Sequence, residues 1–387
     1  MDADRVFARL EELYAIGSNR PGLSDVEQEA HRLAAMWLDE AGLEVGRDAA
    51  GNLYGRLLGS RPDLPEVWSG SHLDTVPAGG RFDGALGVVG AIEAVAELEP
   101  GERTVTVVAF RDEEGVRFGG GCFGSRALCG RLDPNELDKR DADGITVGEA
   151  LAALELDSPP PGGWLDGRAR CFVELHIEQG PRLLTMGAPL AVVTAIVGTS
   201  GTRVAFSGKA GHAGTTPMAG RSDALVAAAG FVLAVNRLAL DDGDLVATVG
   251  QLEVAPGAAN VISERVTLTL DARATAIDAA LQAVDRLAAE CSGETERIWL
   301  YEPAPMDERP RAALLDAVRA LGVAPVEMDS RAGHDAAVLA QAGVPSAMLF
   351  VRSGAGGVSH RPDEWSDPDD VALAVHALSR ALATLSG

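Results

Sequence analysis

The sequence predicts an α/β fold: a mixed, largely parallel sheet with helices on both faces, interrupted by a smaller α+β domain. Three observations carry this expectation. Short apolar runs such as RTVTVVAF (103–110), CFVEL (171–175) and PSAMLFV (345–351) read as buried strands, and helical patterns separate them. Between about 198 and 302 the rhythm changes to strand, helix, strand, strand, helix, strand, which is a ferredoxin-like split. The chain has 387 residues, and at ~100–200 residues per domain two domains are expected.

The elements follow in order. Residues 2–15 and 24–41 have helical apolar spacing, with Ser24 and Glu27 as a capping box and Gly42 as a stop. Val67 to Val76 reads as a strand leading into a loop, and both lie across GSHLDTVPAGGRFDGALG (70–87). Residues 84–98 are nearly all apolar or small, as in a helix buried on most sides. Segment 131–169, with its DSPPPGG, reads as a surface excursion. In the later interval TRVAFSG, LVATVGQLEV, ERVTLTLDARA and ERIWLYEP read as strands, and 220–239 and 276–291 as helices. The last helix, 368–385, has Asp residues at its start. One domain is therefore expected in two parts, 1–197 and 304–387, around an inserted domain at 198–303.

Composition narrows the function. Asp and Glu number 57 against 33 Lys and Arg, a net charge of −24, which disfavours nucleic acid and anionic membranes as partners. Lys occurs only at 139 and 209, so Arg must supply any cation for an anionic ligand. The cysteines at 122, 129, 171 and 291 form no CxxC pair and read as reduced thiols of a cytoplasmic protein. MDADRVFARLEELYAIG is acidic and amphipathic rather than leader-like, and no 18-residue apolar run suggests a membrane span.

In open α/β sheets, ligands collect beyond the carboxyl ends of strands. Four polar segments are expected there: His72-Leu73-Asp74, Arg111-Asp112-Glu113-Glu114, His176-Ile177-Glu178-Gln179-Gly180 and Ser359-His360. Asp83 opens the buried helix. Imidazole and carboxylate suit Zn, Mn, Co or Ni. A bridging carboxylate plus flanking ligands can hold two divalent ions ~3.5–4 Å apart. His72 and Asp74 share one face of an extended segment, so Asp74 can accept the other ring N–H of His72. Adjacent Glu113 and Glu114 point different ways, one toward metal and one toward a water.

The motifs GSHLDTVPAGGRFDG, FRDEEGVRFGG, ELHIEQGP, GKAGHAGTTPM, PGAANVIS, DARA, AGHDA and GGVSHRPDEW run from Gly70 to Trp365. Together they resemble the M20 metallopeptidase-like superfamily in its hydantoinase/carbamoylase branch, which includes allantoate amidohydrolases. HIEQG is the most discriminating, because peptidases and acylases of the superfamily usually carry an acid in place of His176. The resemblance implies that Asp83 bridges two metals, that His72 and His176 complete one site and that Glu114 and His360 complete the other. It implies Glu113 as general base and His212 as the donor that polarises the scissile carbonyl. It further implies Asn260 and Arg273 on the substrate carboxylate, an amide contact from Gln179 and backbone groups from Gly354. A homodimer built through the inserted lid domain is also implied.

The expected reaction is hydrolysis of an N-carbamoyl-L-amino acid to amino acid, ammonia and carbon dioxide. Allantoate, ureidoglycolate and 3-ureidopropionate are the alternatives. His176 argues against an aminoacylase or dipeptidase. Retention of the base and every ligand argues against a non-catalytic binding protein. Outside this set, His31 and His376 read as packing or surface residues, His334 as a helix-start residue and Asp112 as structural. The glycines at 119–121 precede no Lys-Ser/Thr pair, so they read as backbone freedom rather than a phosphate loop.

Overall fold

The computed structural model describes residues 3–165 and 167–387. They divide into two compact units, one holding the chain up to Thr194 and from Pro305 onward, the other Ala195–Ala304.

The first unit opens with α1 (Ala3–Ile16), α2 (Asp25–Glu40), β1 (Glu44–Arg47), β2 (Leu53–Leu57) and β3 (Glu66–His72). There follow α3 (Ala85–Ala96), β4 (Val105–Phe110), α4 (Phe123–Leu128), α5 (Val147–Ala153), β5 (Ala169–Ile177), α6 (Arg182–Met186) and β6 (Leu190–Ile196). The second unit contributes β7 (Gly198–Ser207), α7 (Ala224–Asp242), β8 (Val246–Ala255), β9 (Arg265–Ala274), α8 (Ile277–Glu290) and β10 (Gly293–Tyr301). The chain then continues through β11 (Ala304–Pro305), α9 (Glu308–Ala320), β12 (Val326–Ser330), α10 (Asp335–Gln341), β13 (Ser346–Val351) and α11 (Pro368–Ser386).

The large sheet runs β1-β2-β4-β3-β5-β13-β6-β11, with β12 paired to β6. Its centre is parallel, β4 to β3, β3 to β5 and β5 to β13, while β1, β2 and β6 pair antiparallel. β3, β4 and β13 are buried along their whole length, as parallel strands covered on both faces must be. On one face, Val67, Val105, Val107 and Leu349 share a core with Leu10 and Leu13 of α1, Trp37 of α2, Ile92 of α3 and Leu378 of α11.

Two expectations are corrected. The strand before the glycine loop stops at His72 rather than Val76; beyond it Thr75 N–H donates to Arg20 O, outside the sheet. Segment 131–169 is not wholly a surface excursion. Val147, Ala150 and Leu151 recur at helical spacing and pack with Phe118 and Phe123, and Thr146 and Glu149 form a capping box on α5. α7 is long and apolar enough to cross a membrane by length and composition alone, a test that core helices also pass, and it is not an unbroken apolar run. Its apolar residues serve two surfaces: Ala224, Ala228, Phe231 and Val235 are buried, while Leu225, Val226, Leu233 and Leu240 are exposed.

The four strands of the second unit form one antiparallel sheet in the order β10-β7-β9-β8. Val204, Phe206, Val266, Leu268 and Leu270 of that sheet pack with Ala228 and Phe231 of α7 and with Val284 and Ala288 of α8.

Candidate metal centre

At the carboxyl end of the parallel strands, β3 delivers His72, β4 leads into Glu113 and Glu114, and β5 delivers His176. Asp83 precedes α3, and His360 lies on the loop between β13 and α11. Two groups of donor atoms each fall within 4.8 Å of one another: His72, Asp83 and His176, and Asp83, Glu114 and His360. Asp83 belongs to both. Its Oδ1 lies 3.3 Å from His176 Nε2 and 3.6 Å from His72 Nε2, and its Oδ2 lies 3.4 Å from His360 Nε2. Glu114 Oε1 is 3.6 Å from His360 Nε2.

The surroundings aim these atoms. His176 Nδ1 is 2.9 Å from Ile177 O, so its N–H belongs there, and Nε2 carries the lone pair, toward which the Gly84 N–H points at 3.2 Å. His72 Nδ1 is 3.2 Å from Asp74 O and 3.3 Å from Asp74 Oδ1, which leaves His72 Nε2 facing Asp83. Gly84 stands at φ +62°, and any Cβ there would lie about 2.4 Å from the His72 ring. Asp74 does more than orient His72. Its Oδ1 accepts the Glu113 N–H and its Oδ2 the Glu114 N–H, both at 3.0 Å. Buried Glu27 braces the same turn by accepting the Asp112 N–H and the Arg111 guanidinium, while Asp112 takes a left-handed φ of +48°.

Asp74, Asp83, Glu113 and Glu114 crowd one site. Burial, then Asp83, pushes Glu114 up to about 7. Burial also drives Glu113 well above the carboxylate range, with Glu114 and Asp335 adding to the rise against the opposing charge of His72. For Asp83 the rise from burial is outweighed by the surrounding imidazoles of His176, His360 and His72, which hold its carboxyl well below the usual value. The hydrogen bond to Asp83 lifts His360 to about 9. Glu114 Oε1 is buried with no hydrogen-bond partner. Imidazole nitrogens aimed inward, clustered acids and an orphaned carboxylate oxygen together fit divalent cations.

The remaining predicted residues fall in different places. Gln179 Nε2 donates to Asp83 Oδ2 at 2.7 Å, so its amide already faces the centre. Gly354 N–H donates to Trp365 O, and Gly354 O accepts from Gly357 N–H. His334 precedes α10, and its ring stacks edgewise 4.6 Å from that of His176. In the second unit, exposed His212 accepts the Gly214 and Thr215 N–H groups at Nδ1, which puts the proton of the neutral ring on Nε2. Asn260 O accepts the N–H of Ala213, the residue after His212. Arg273, on β9, forks onto Asp271. Sequence reasoning passed over Glu364, Glu174 and Asp335. Glu364 lay inside a quoted motif, four residues after His360, whereas Glu174 looked like one more strand residue.

A mixed sheet with a His/Asp/Glu cluster at the carboxyl ends of its parallel strands is an arrangement that suits a metal-dependent hydrolase. The profile of Peptidase family M20/M25/M40 matches residues 68–384, and the chain belongs to that family. An N-carbamoyl-L-amino acid amidohydrolase of Geobacillus stearothermophilus is 41% identical, with 98% of this chain and 97% of that protein covered. A ureidoglycolate hydrolase of Arabidopsis thaliana is 36% identical over 94% of this chain and 81% of its own length. The crystal structure of an amidase of the hydantoinase/carbamoylase family from Burkholderia multivorans superposes with a TM-score of 0.90 at 35% identity, covering 100% of this chain and 98% of that one.

Proposed function

We propose that the protein hydrolyses the ureido group of an N-carbamoyl-L-amino acid. The observation that carries this reading is Asp83, whose two oxygens face separate donor groups, one of them including His176, where the motif resemblance implies that acylases and peptidases usually carry an acid. His72, Asp83 and His176 would hold one divalent ion, and Asp83, Glu114 and His360 a second; Zn, Mn, Co and Ni suit these donors. Such ions, when bound, supply Lewis-acid charge stabilisation and make water acidic near neutral pH.

The chain's own groups do the rest. Glu113, held by Asp74 through its N–H, takes a proton from the attacking water and returns it to the leaving nitrogen. Water adds to the ureido carbon, and the bond to the terminal nitrogen breaks as that nitrogen leaves as ammonia. The carbamate that remains loses carbon dioxide to give the amino acid. The second unit, read as an inserted ferredoxin-like lid, offers His212 Nε2–H as donor to the developing oxyanion. Asn260 and Arg273 hold the substrate carboxylate, the latter by exchanging Asp271 for it. Gln179 adds an amide contact, and Gly354 lines the same loop.

The exposed Leu225, Val226, Leu233 and Leu240 on α7 and the open edge of β8 support a homodimer through this unit. Four free thiols suit the reducing cytoplasm. Ammonia release from an N-carbamoyl-L-amino acid panel, beside allantoate and ureidoglycolate at equal concentration, tests the reading. Preference for the carbamoyl amino acids is expected. Preference for allantoate or ureidoglycolate moves the assignment to ureido acids, and no release from any of them overturns it.

A further inference from the structure

Glu364 is an acid for which the proposed chemistry has no use, yet it is 2% exposed and placed against the centre. Its Oε1 accepts two consecutive backbone N–H groups, Phe82 at 2.7 Å and Asp83 at 3.0 Å. Gly80 makes room, since a Cβ there would lie 2.3 Å from the Glu364 carboxyl carbon. Glu364 Oε2 lies 3.0 Å from Ser359 Oγ, which is also 2.8 Å from Asp83 Oδ2. A hydroxyl has one proton, so Ser359 donates to one of these carboxylates at a time.

The need for such a group is local. The rings of His72 and His176 are each steered by a partner at Nδ1. The side chain of His360 is 48% exposed, its backbone stands at φ +58°, and among the described residues no hydrogen bond steers its ring in that way. The outer cluster of Asp83, Glu114 and His360 therefore depends on how its loop is tied down. Ser353 and Ser366 bridge the base of that loop, and Glu364 ties its middle to the Phe82–Asp83 turn.

We propose that Glu364 is a positioning residue for the outer cation. It pins the backbone of Asp83 in register with the His360 loop and draws the Ser359 proton to itself, so that Asp83 Oδ2 accepts from Gln179 Nε2 alone and keeps a second lone pair for a cation. The idea rests on the two-ion reading above. Glu364→Gln separates its two halves. The Gln carbonyl still accepts both backbone N–H groups, but its NH2 now faces Ser359, whose proton must turn to Asp83 Oδ2 and compete with a cation.

The test is a stepwise Mn2+ titration of metal-stripped protein by calorimetry and by EPR of free Mn2+, with circular dichroism as a fold control. The outer step is the one lost in His360→Ala. In Glu364→Gln we expect the inner step to stay within about threefold of wild type and the outer to weaken about tenfold or more, the usual scale for a group that orients a ligand. Adding Ser359→Ala to Glu364→Gln should recover most of that loss. Ser359→Ala alone should shift the outer step less than Glu364→Gln does. Wild-type affinities at both steps in Glu364→Gln, equal weakening of both, no recovery in the double variant, or a larger shift from Ser359→Ala alone each overturns the proposal. Uptake of fewer than two ions by the wild type overturns the two-ion reading, and this proposal with it.

Discussion

Asp74 shows how much one carboxylate can hold. Its two oxygens accept the N–H groups of Glu113 and Glu114, and it also faces His72. Asp74→Asn keeps the volume but leaves one acceptor oxygen for two N–H groups. A buried donor without a partner costs ~1–3 kcal/mol, so denaturant melts should show a loss of that size and turnover should fall with it. An Asn variant as stable and active as wild type would remove Asp74 from this role. Glu113→Gln should behave differently, with stability and ion content kept and turnover down by ~10²–10⁴, the usual contribution of a general base. Mass spectrometry of bound metal beside an ammonia assay separates the two cases. At this scale the clustering of His72, Asp83, Glu114, His176 and His360 was legible, because His and acid at strand ends are costly without a partner. Glu364, and Glu174, whose Oε2 accepts the Ala336 N–H, were not, because a buried acid that accepts backbone N–H groups has no period or spacing of its own.

Among elements, the segment 131–169 was the hardest to read. Its turns are rich in Asp, Gly and Pro, and that density hid the apolar stripe of α5. An ion pair holds its entrance. Arg126 forks onto Glu136, which also accepts from Lys139. Burial pushes the Glu136 carboxyl up, but the bonds and charge of Arg126 and then Lys139 prevail and hold it below the usual value. A carboxyl lowered in the folded state adds stability that is complete above its unfolded pKa, about 4.3, and is lost as pH falls through the folded value. Glu136→Gln should therefore be less stable than wild type at pH 7, with the gap closing below about pH 4. Urea midpoints at pH 7 and pH 3 check this; a gap that is the same at both would show that the ion pair contributes nothing. The strands of the sheet centre were legible because fully buried parallel strands are uniformly apolar. β1 and β2 escaped, since the exposed EVGR and the mixed LYGRL have no such signature.

For the whole molecule, the sequence changes rhythm between about 198 and 302, from separated apolar strands to paired amphipathic ones, and the compact second unit spans Ala195–Ala304. The order of strands was not visible, because it depends on contacts between residues far apart in the chain. The second unit has its own core around Phe206, Phe231 and Val284 and is continuous in sequence from Ala195 to Ala304. Expressed alone, residues 195–304 should fold and melt cooperatively by circular dichroism. A sloping, non-cooperative melt would mean that its core is insufficient by itself.

The position of β13 has a consequence for how the protein is made. This strand lies between β5 and β6, parallel to one and antiparallel to the other, yet it is synthesised more than 140 residues after both. While the ribosome works through the interval, the nascent chain carries two unpaired inner strand edges with a gap one strand wide. The second unit can complete itself in that time, but the sheet that carries the His/Asp/Glu cluster cannot close. Emerging chains are thus most open to aggregation or chaperone capture just before residue 346, and His360 enters only after the gap is filled.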